Sequence, residues 1–178
     1  MPDLSEALKE AYASNPVGQI IIDTLEFRHP SFVDENGNPA ALRVVRDYQA
    51  VFAGLEITAP LNPGETVQFM AFAFDVTLPG FEENQTPTLA ITIDNVGRDL
   101  TAQLEAATSS QQPIEITYRP YLLTDLTGPQ MDPPINMVVV SATADISQIQ
   151  LQASLDDVSN TPFPRRRYTP DDFPGLVR

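Results

Sequence analysis

The chain has 178 residues, 17 of them proline, and a net charge of −14 from 10 Lys and Arg against 24 Asp and Glu. That charge opposes DNA, RNA and anionic membrane surfaces through the general field, so stable nucleic-acid binding is not expected. With no cysteine and a single histidine, thiol nucleophiles, disulfides, zinc–thiolate and iron–sulfur sites and any site needing two imidazoles from one chain are excluded. No apolar run approaches the roughly 20 residues of a membrane span, and the start MPDLSEALKE lacks the basic, then apolar, pattern of a signal peptide. The expectation is an acidic, soluble protein made inside the cell, not inserted in a membrane, without a cofactor and not an enzyme.

Leu4, Ala7, Leu8, Ala11 and Tyr12 fall on one stripe of a helix over 3–14. Asp3 serves as its expected N-cap, with Glu6 at capping-box spacing. Asn15-Pro16 ends it, because a residue before proline avoids the α region. Strand signals follow. The segment 19–28 (QIIIDTLEFR) is rich in β-branched residues. The cluster Glu35-Asn36-Gly37-Asn38-Pro39 is a turn, since Asn-Gly takes positive φ. Strands are expected over 41–46 and 48–55, then a turn over 61–65. The next strand, 67–77, is expected to put Met70, Phe72, Phe74 and Val76 on one face.

The segment 88–94 alternates cleanly, with Leu89, Ile91 and Ile93 on the apolar face. A second short helix is expected over 98–108, on Leu100, Leu104 and Ala107. Strands over 114–123, 137–143 and 149–155 complete the pattern; in the last, Ile149, Leu151, Ala153 and Leu155 alternate with polar residues. About seven or eight short strands without a βαβ rhythm indicate a mainly β fold, an antiparallel sandwich or a barrel. The expected divisions are an N-terminal helix (1–16), a β-domain (17–160) and an extended arm (161–178).

Chemistry-bearing residues are few. His29 has no nearby metal-ligand or catalytic partner in sequence and is expected to be structural or at the surface. Asp34 to Asn38 lacks the order of a calcium loop and the glutamate at its twelfth position, so turn chemistry explains it. The acidic pairs Glu82-Glu83, Asp156-Asp157 and Asp171-Asp172 sit in no catalytic pattern and are expected on solvated surface. No catalytic or metal-binding residue is assigned.

The end of the chain differs in kind. TPFPRRRYTPDDFPGLVR (161–178) carries four arginines, two aspartates and four prolines, and no periodicity. It reads as an extended arm. Arg165, Arg166 and Arg167 are expected to meet carboxylates, because the guanidinium fork favours interface pairing. Phe163, Tyr168, Phe173 and Leu176 supply apolar anchors of the types enriched at interfaces.

The segment from Phe163 to Leu176 (F-P-R-R-R-Y-T-P-D-D-F-P-G-L) resembles the closing motif of a tail-protein family of tailed phages, siphophages and related prophages. That family is catalogued as a domain of unknown function and occurs beside tape-measure and hub genes. I-D-N-V-G-R (93–98) is the second specific match; A-Y-A-S (11–14), F-R-H-P (27–30) and L-R-V-V-R-D (42–47) agree in order. The resemblance implies a structural protein of the virion tail tip, of distal-tail type, made in the host cytoplasm. It further implies a ring of copies of this chain, six favoured over three, joining tail tube to hub or baseplate. The competing readings are a receptor- or carbohydrate-binding β-module on the tail and a tail-assembly factor. Against the sugar-binding reading stand the absence of tryptophan and phenylalanines at strand positions expected to be buried.

Overall fold

The computed structural model describes residues 3–14, 19–34, 36–77, 88–94, 107, 112–145 and 148–155. Among them the chain forms one helix and eleven strands. The elements are β1 (Asp3–Leu4), α1 (Glu6–Ser14), β2 (Ile21–Val33), β3 (Pro39–Val45), β4 (Val51–Gly54) and β5 (Thr66–Ala71). They continue with β6 (Phe74–Thr77), β7 (Thr88–Asp94), β8 (Glu115–Leu122), β9 (Met131–Asp132), β10 (Ile135–Ala144) and β11 (Gln148–Leu155). The mainly β expectation holds. The expected helix over 98–108 lies outside the described residues apart from Ala107, which is buried. The expected arm, 161–178, lies outside them altogether.

Nine strands form one mixed sheet in the order β4-β5-β3-β2-β8-β10-β11-β7-β6, and β1 pairs separately with β9. Every pairing is antiparallel except β3 with β5, where Val44 and Val45 lie beside Met70 and Ala71. This parallel pair departs from the antiparallel expectation. It arises because β4 turns back on β5 (Val51 opposite Phe69) before β5 reaches β3.

The sheet is curled so that its two ends approach. The single segment from β5 into β6 bridges them. Phe72 N donates to Val45 O at 3.0 Å on the β3 side, and Asp94 N donates to Ala73 O at 3.0 Å on the β7 side. The expected continuous strand over 67–77 is therefore two strands broken at Phe72-Ala73, and of the face expected to hold Met70, Phe72, Phe74 and Val76, the last three pack on the main core. Phe69 and Phe74 are buried, whereas Met70 is 42% exposed. Phe69, of opposite parity to Phe74, is buried on the other side, against Ile22, Val45 and Tyr121.

The inside of the curl is the main core. Leu25 and Phe27 of β2, Leu42 and Val44 of β3, and Ile116 and Tyr118 of β8 face Leu89, Ile91 and Ile93 of β7 and Ile149, Leu151 and Ala153 of β11. The two strands with the clearest alternation thus bury the expected faces. A second cluster lies on the outer face of β2, β3 and β8: Ile22, Val45 and Tyr121, covered by Ala53 and Phe69 of the β4–β5 hairpin and by Leu55 and Ala59 of its loop. Burying both faces of β2 and β8 explains their near-continuous burial.

The helix starts later than Asp3. Asp3 and Leu4 pair with Asp132 and Met131, and Ser5 is the N-cap, its Oγ accepting from Leu8 N at 3.1 Å. Leu8 and Ala11 pack on Leu122 and Ile21; Tyr12, the outermost of the expected stripe, is exposed. β4 begins at Val51, because 46–49 bend and Tyr48 stands free of the sheet.

Gly54 locks the covering hairpin in place. Its N–H donates to Leu126 O at 2.8 Å, its carbonyl accepts from Tyr121 Oη at 2.8 Å, and a Cβ there would overlap the Thr127 carbonyl. Gly54→Ala should cost about 1–3 kcal/mol by forced displacement of this contact. Ile91, 1% exposed, should cost about 2–5 kcal/mol when cut to alanine. Urea unfolding of each variant measures both; a loss below about 1 kcal/mol for Ile91→Ala would contradict the inward face assigned to β7.

Candidate functional site

Charged residues at alternate positions of three neighbouring strands meet on the outer face of the sheet. Glu26 of β2 lies directly opposite Arg43 of β3 and Thr117 of β8. Period-two geometry puts Arg28 and Arg119 on the same face. Glu26 is fully buried. Its Oε1 accepts from Arg28 Nη1 at 2.7 Å and its Oε2 from Arg43 Nε at 2.8 Å, with Arg119 Nη2 at 3.5 Å. Arg119, also fully buried, donates twice to Glu56, from Nε and Nη2, each at 2.7 Å. Arg28 continues to Thr117 Oγ1 at 2.8 Å and Glu115 Oε2 at 3.1 Å. Arg43 Nη2 reaches Asn62 Oδ1 at 3.0 Å.

The network ties the loop over 55–65 to the sheet, since Glu56 and Asn62 belong to that loop. Burial pushes the Glu26 carboxyl up, but Arg119, Arg43 and Arg28 outweigh it and hold the group below its ordinary value. Burial likewise opposes charge on Arg119, and Glu56 and Glu26 overcome it, raising its pKa. Both groups are held ionised, and the contacts bind the covering loop to the sheet.

His29 is buried and structural. Its Nε2 lies 3.1 Å from Gln112 O, a carbonyl that can only accept, so this nitrogen carries the hydrogen. Nδ1 accepts from Ser31 N at 3.0 Å and lies 2.5 Å from Ser31 Oγ. Asp34 closes a turn by accepting from Asn36 N and Asn38 N, each at 2.8 Å. Those bonds from Asn38 and Asn36 hold its carboxyl below the usual range, and Gly37 adopts φ 81°. The turn reading of this cluster holds.

A groove of about 560 Å³ opens where the chain crosses from β5 to β6. Ala71, Phe72, Ala73 and Phe74 form its apolar part, and Arg46, Asp47, Asp75 and Asp94 its charged part. Arg46 pairs with Asp75 at 3.0 Å and approaches Asp23 at 3.6 Å. Asp23 also accepts from Tyr118 Oη at 2.7 Å. Burial, reinforced by the Asp23 charge, raises the Tyr118 pKa strongly and keeps the phenol a neutral donor. Among the described residues, neither Asp47 nor Asp94 has a salt-bridge partner. Tyr48 stands at the groove, 102% exposed. Among the described residues no group of three His, Asp or Glu is placed to hold a metal ion.

The sequence-assigned interface residues Phe163, Arg165, Arg166, Arg167, Tyr168, Phe173 and Leu176 lie outside the described residues, as do Glu82-Glu83, Asp156-Asp157 and Asp171-Asp172. Sequence reasoning missed both the Glu26 network and the groove. The network had a signal, opposite charges at matching parity in 19–28, 41–46 and 114–123. The groove had none, because strands distant in sequence build it.

Glu26→Gln should cost about 3–5 kcal/mol at pH 7, since it leaves buried guanidiniums short of a counter-charge. The Glu26 pKa is depressed in the folded state, so its contribution is complete above its unfolded value, about 4.5, and lost as pH falls through the folded value. The gap between wild type and Glu26→Gln should therefore narrow as pH falls below that value in urea-unfolding series. A gap independent of pH would exclude an ionised Glu26 as the source.

Residues 7–168 match the model of a family described as Domain of unknown function (DUF1833). No curated protein matches the chain.

Proposed function

We propose that this chain, which belongs to the DUF1833 family, is a structural protein of a phage tail tip whose copies join one another as a ring between tail tube and hub. The observation that carries the reading is the partition of charge. Four arginines and two aspartates sit in 161–178, while the chain as a whole is −14. A basic, aromatic, proline-rich arm on an acidic β-domain is built to join subunits. The motifs over 93–98 and 163–176 support the tail assignment. The doubly covered centre of the sheet suits a building block that must keep its shape under load.

A second reading, a glycan- or receptor-binding module on the tail, is favoured by the free Tyr48 ring beside Asp47 and Asp94 at the groove. Ring stacking and carboxylate acceptors are the chemistry that holds sugars. Binding on a glycan array that Tyr48→Ala abolishes would favour it over the ring reading.

Mass spectrometry of purified virions should find the chain as a tail component, and cryo-microscopy should find it in a ring of six, or of three, about the tail axis. Absence from the virion would refute the structural reading and favour an assembly factor. Deleting 161–178 should leave the cooperative unfolding transition of the domain in place and remove the chain from particles. Normal infectious particles carrying the truncated chain would refute the arm's role in assembly.

A further inference from the structure

The groove between β5 and β6 has the chemistry that the arm lacks. Its apolar strip, Phe72 and Phe74 with Ala71 and Ala73, lies between carboxylates of Asp47, Asp75 and Asp94. Of these, Asp75 is engaged by Arg46 at 3.0 Å, and Asp47 and Asp94 have no salt-bridge partner among the described residues. The arm presents the complement in F-P-R-R-R-Y (163–168), arginines flanked by two aromatic rings. Guanidiniums pair with carboxylates in a fixed planar geometry, and rings stack on exposed rings such as Tyr48.

Chain direction favours a neighbour's groove over the chain's own. Gln148, the first residue of β11, lines the groove. β11 then runs away from it for seven residue steps, about 23 Å, before the arm follows Leu155. Arg165 lies ten residues beyond Leu155, a reach of at most about 36 Å. To enter its own groove the chain would have to reverse after Leu155 and come back over those roughly 23 Å, about two thirds of that reach, with Pro162 and Pro164 restricting φ along the way. The groove of an adjacent copy requires no reversal. An arm leaving one end of the domain and a receptor at the other make a head-to-tail contact, which closes into a ring when the rotation permits.

We infer that the β5–β6 groove receives the segment 163–168 of a neighbouring copy of this chain, Arg165 to Arg167 pairing with Asp47 and Asp94 and the flanking rings packing on Phe72 and Tyr48. This rests on the reading of 161–178 as an assembly arm. The chain contains no cysteine, so engineered thiols report contacts without background. Full-length Tyr48→Cys and full-length Arg167→Cys, mixed and oxidised, should give a cross-linked dimer whose yield rises with concentration. Adding Asp47→Asn and Asp94→Asn to the Tyr48→Cys chain should lower that yield about tenfold with an unchanged thermal unfolding midpoint, and high salt should lower it likewise. No cross-link at any concentration overturns the inference. So does a cross-link confined to single chains of the Tyr48→Cys/Arg167→Cys double variant, which would place the arm in its own groove. A chain found in virions without the cross-link sinks the groove and leaves the tail reading standing. A cross-link in a chain absent from virions does the reverse.

Discussion

The carboxylate of Glu26 is the constraint around which the sheet is arranged. It is fully buried in the middle of β2 and answered by guanidiniums from β2, β3 and β8. Burying one charge costs several kcal/mol, which is recovered only when partners sit at good geometry. Here the partners come from neighbouring strands in register, so a register slip of one residue would leave Glu26 on the opposite, apolar face. The ion pairs therefore specify the pairing of β2 with its neighbours more than they add net stability. Glu56 extends the same constraint to the covering loop, because Arg119 is shared between the sheet and 55–65.

Once β2, β3 and β8 are fixed, the rest of the fold follows from having two faces to cover. The inner face is apolar and is covered by the far half of the same sheet, β7 and β11 curling over Leu25, Phe27 and Val44. The outer face is part apolar and part charged and is covered by the β4–β5 hairpin. The chain then has to pass from that outer hairpin to the far end of the sheet. The break at Phe72-Ala73 performs this crossing, and the groove is its by-product. A groove formed this way is rigid at its base, since Phe72 and Ala73 are tied by backbone hydrogen bonds to Val45 and Asp94.

This arrangement separates two kinds of charge. The buried ones are paired internally and hold shape, although Nη1 of Arg119 is buried without a hydrogen-bond partner. Those at the groove, half-buried Asp47 and exposed Asp94, have no salt-bridge partner among the described residues. An acidic domain of this type is attracted to basic segments and repels others of its own kind until oriented contacts form, which favours ordered over random association.

The amino-acid sequence by itself determined the fold class and the core strands. Leu89, Ile91 and Ile93, and Ile149, Leu151 and Ala153, alternate because each strand has one buried face, and period two is visible without knowing the partner. Turn residues were equally legible at Asp34 to Asn38, where local hydrogen bonds suffice. Only the tertiary structure decided the remainder. Thr24, Glu26 and Arg28 alternate with apolar residues just as a solvated face would, and nothing local tells that a hairpin more than twenty residues later covers them. Met70 was expected to share a face with Phe72, Phe74 and Val76, yet it lies on β5 before the break at Phe72-Ala73 and is exposed, while the other three pack on the core. Asp3 suited an N-cap, yet its backbone pairs with Asp132, far along the chain, and Ser5 takes the cap. In each case a contact distant in sequence overrode a local preference, because local preferences amount to about 1 kcal/mol or less per residue, whereas pairing and burial across the sheet sum over many residues.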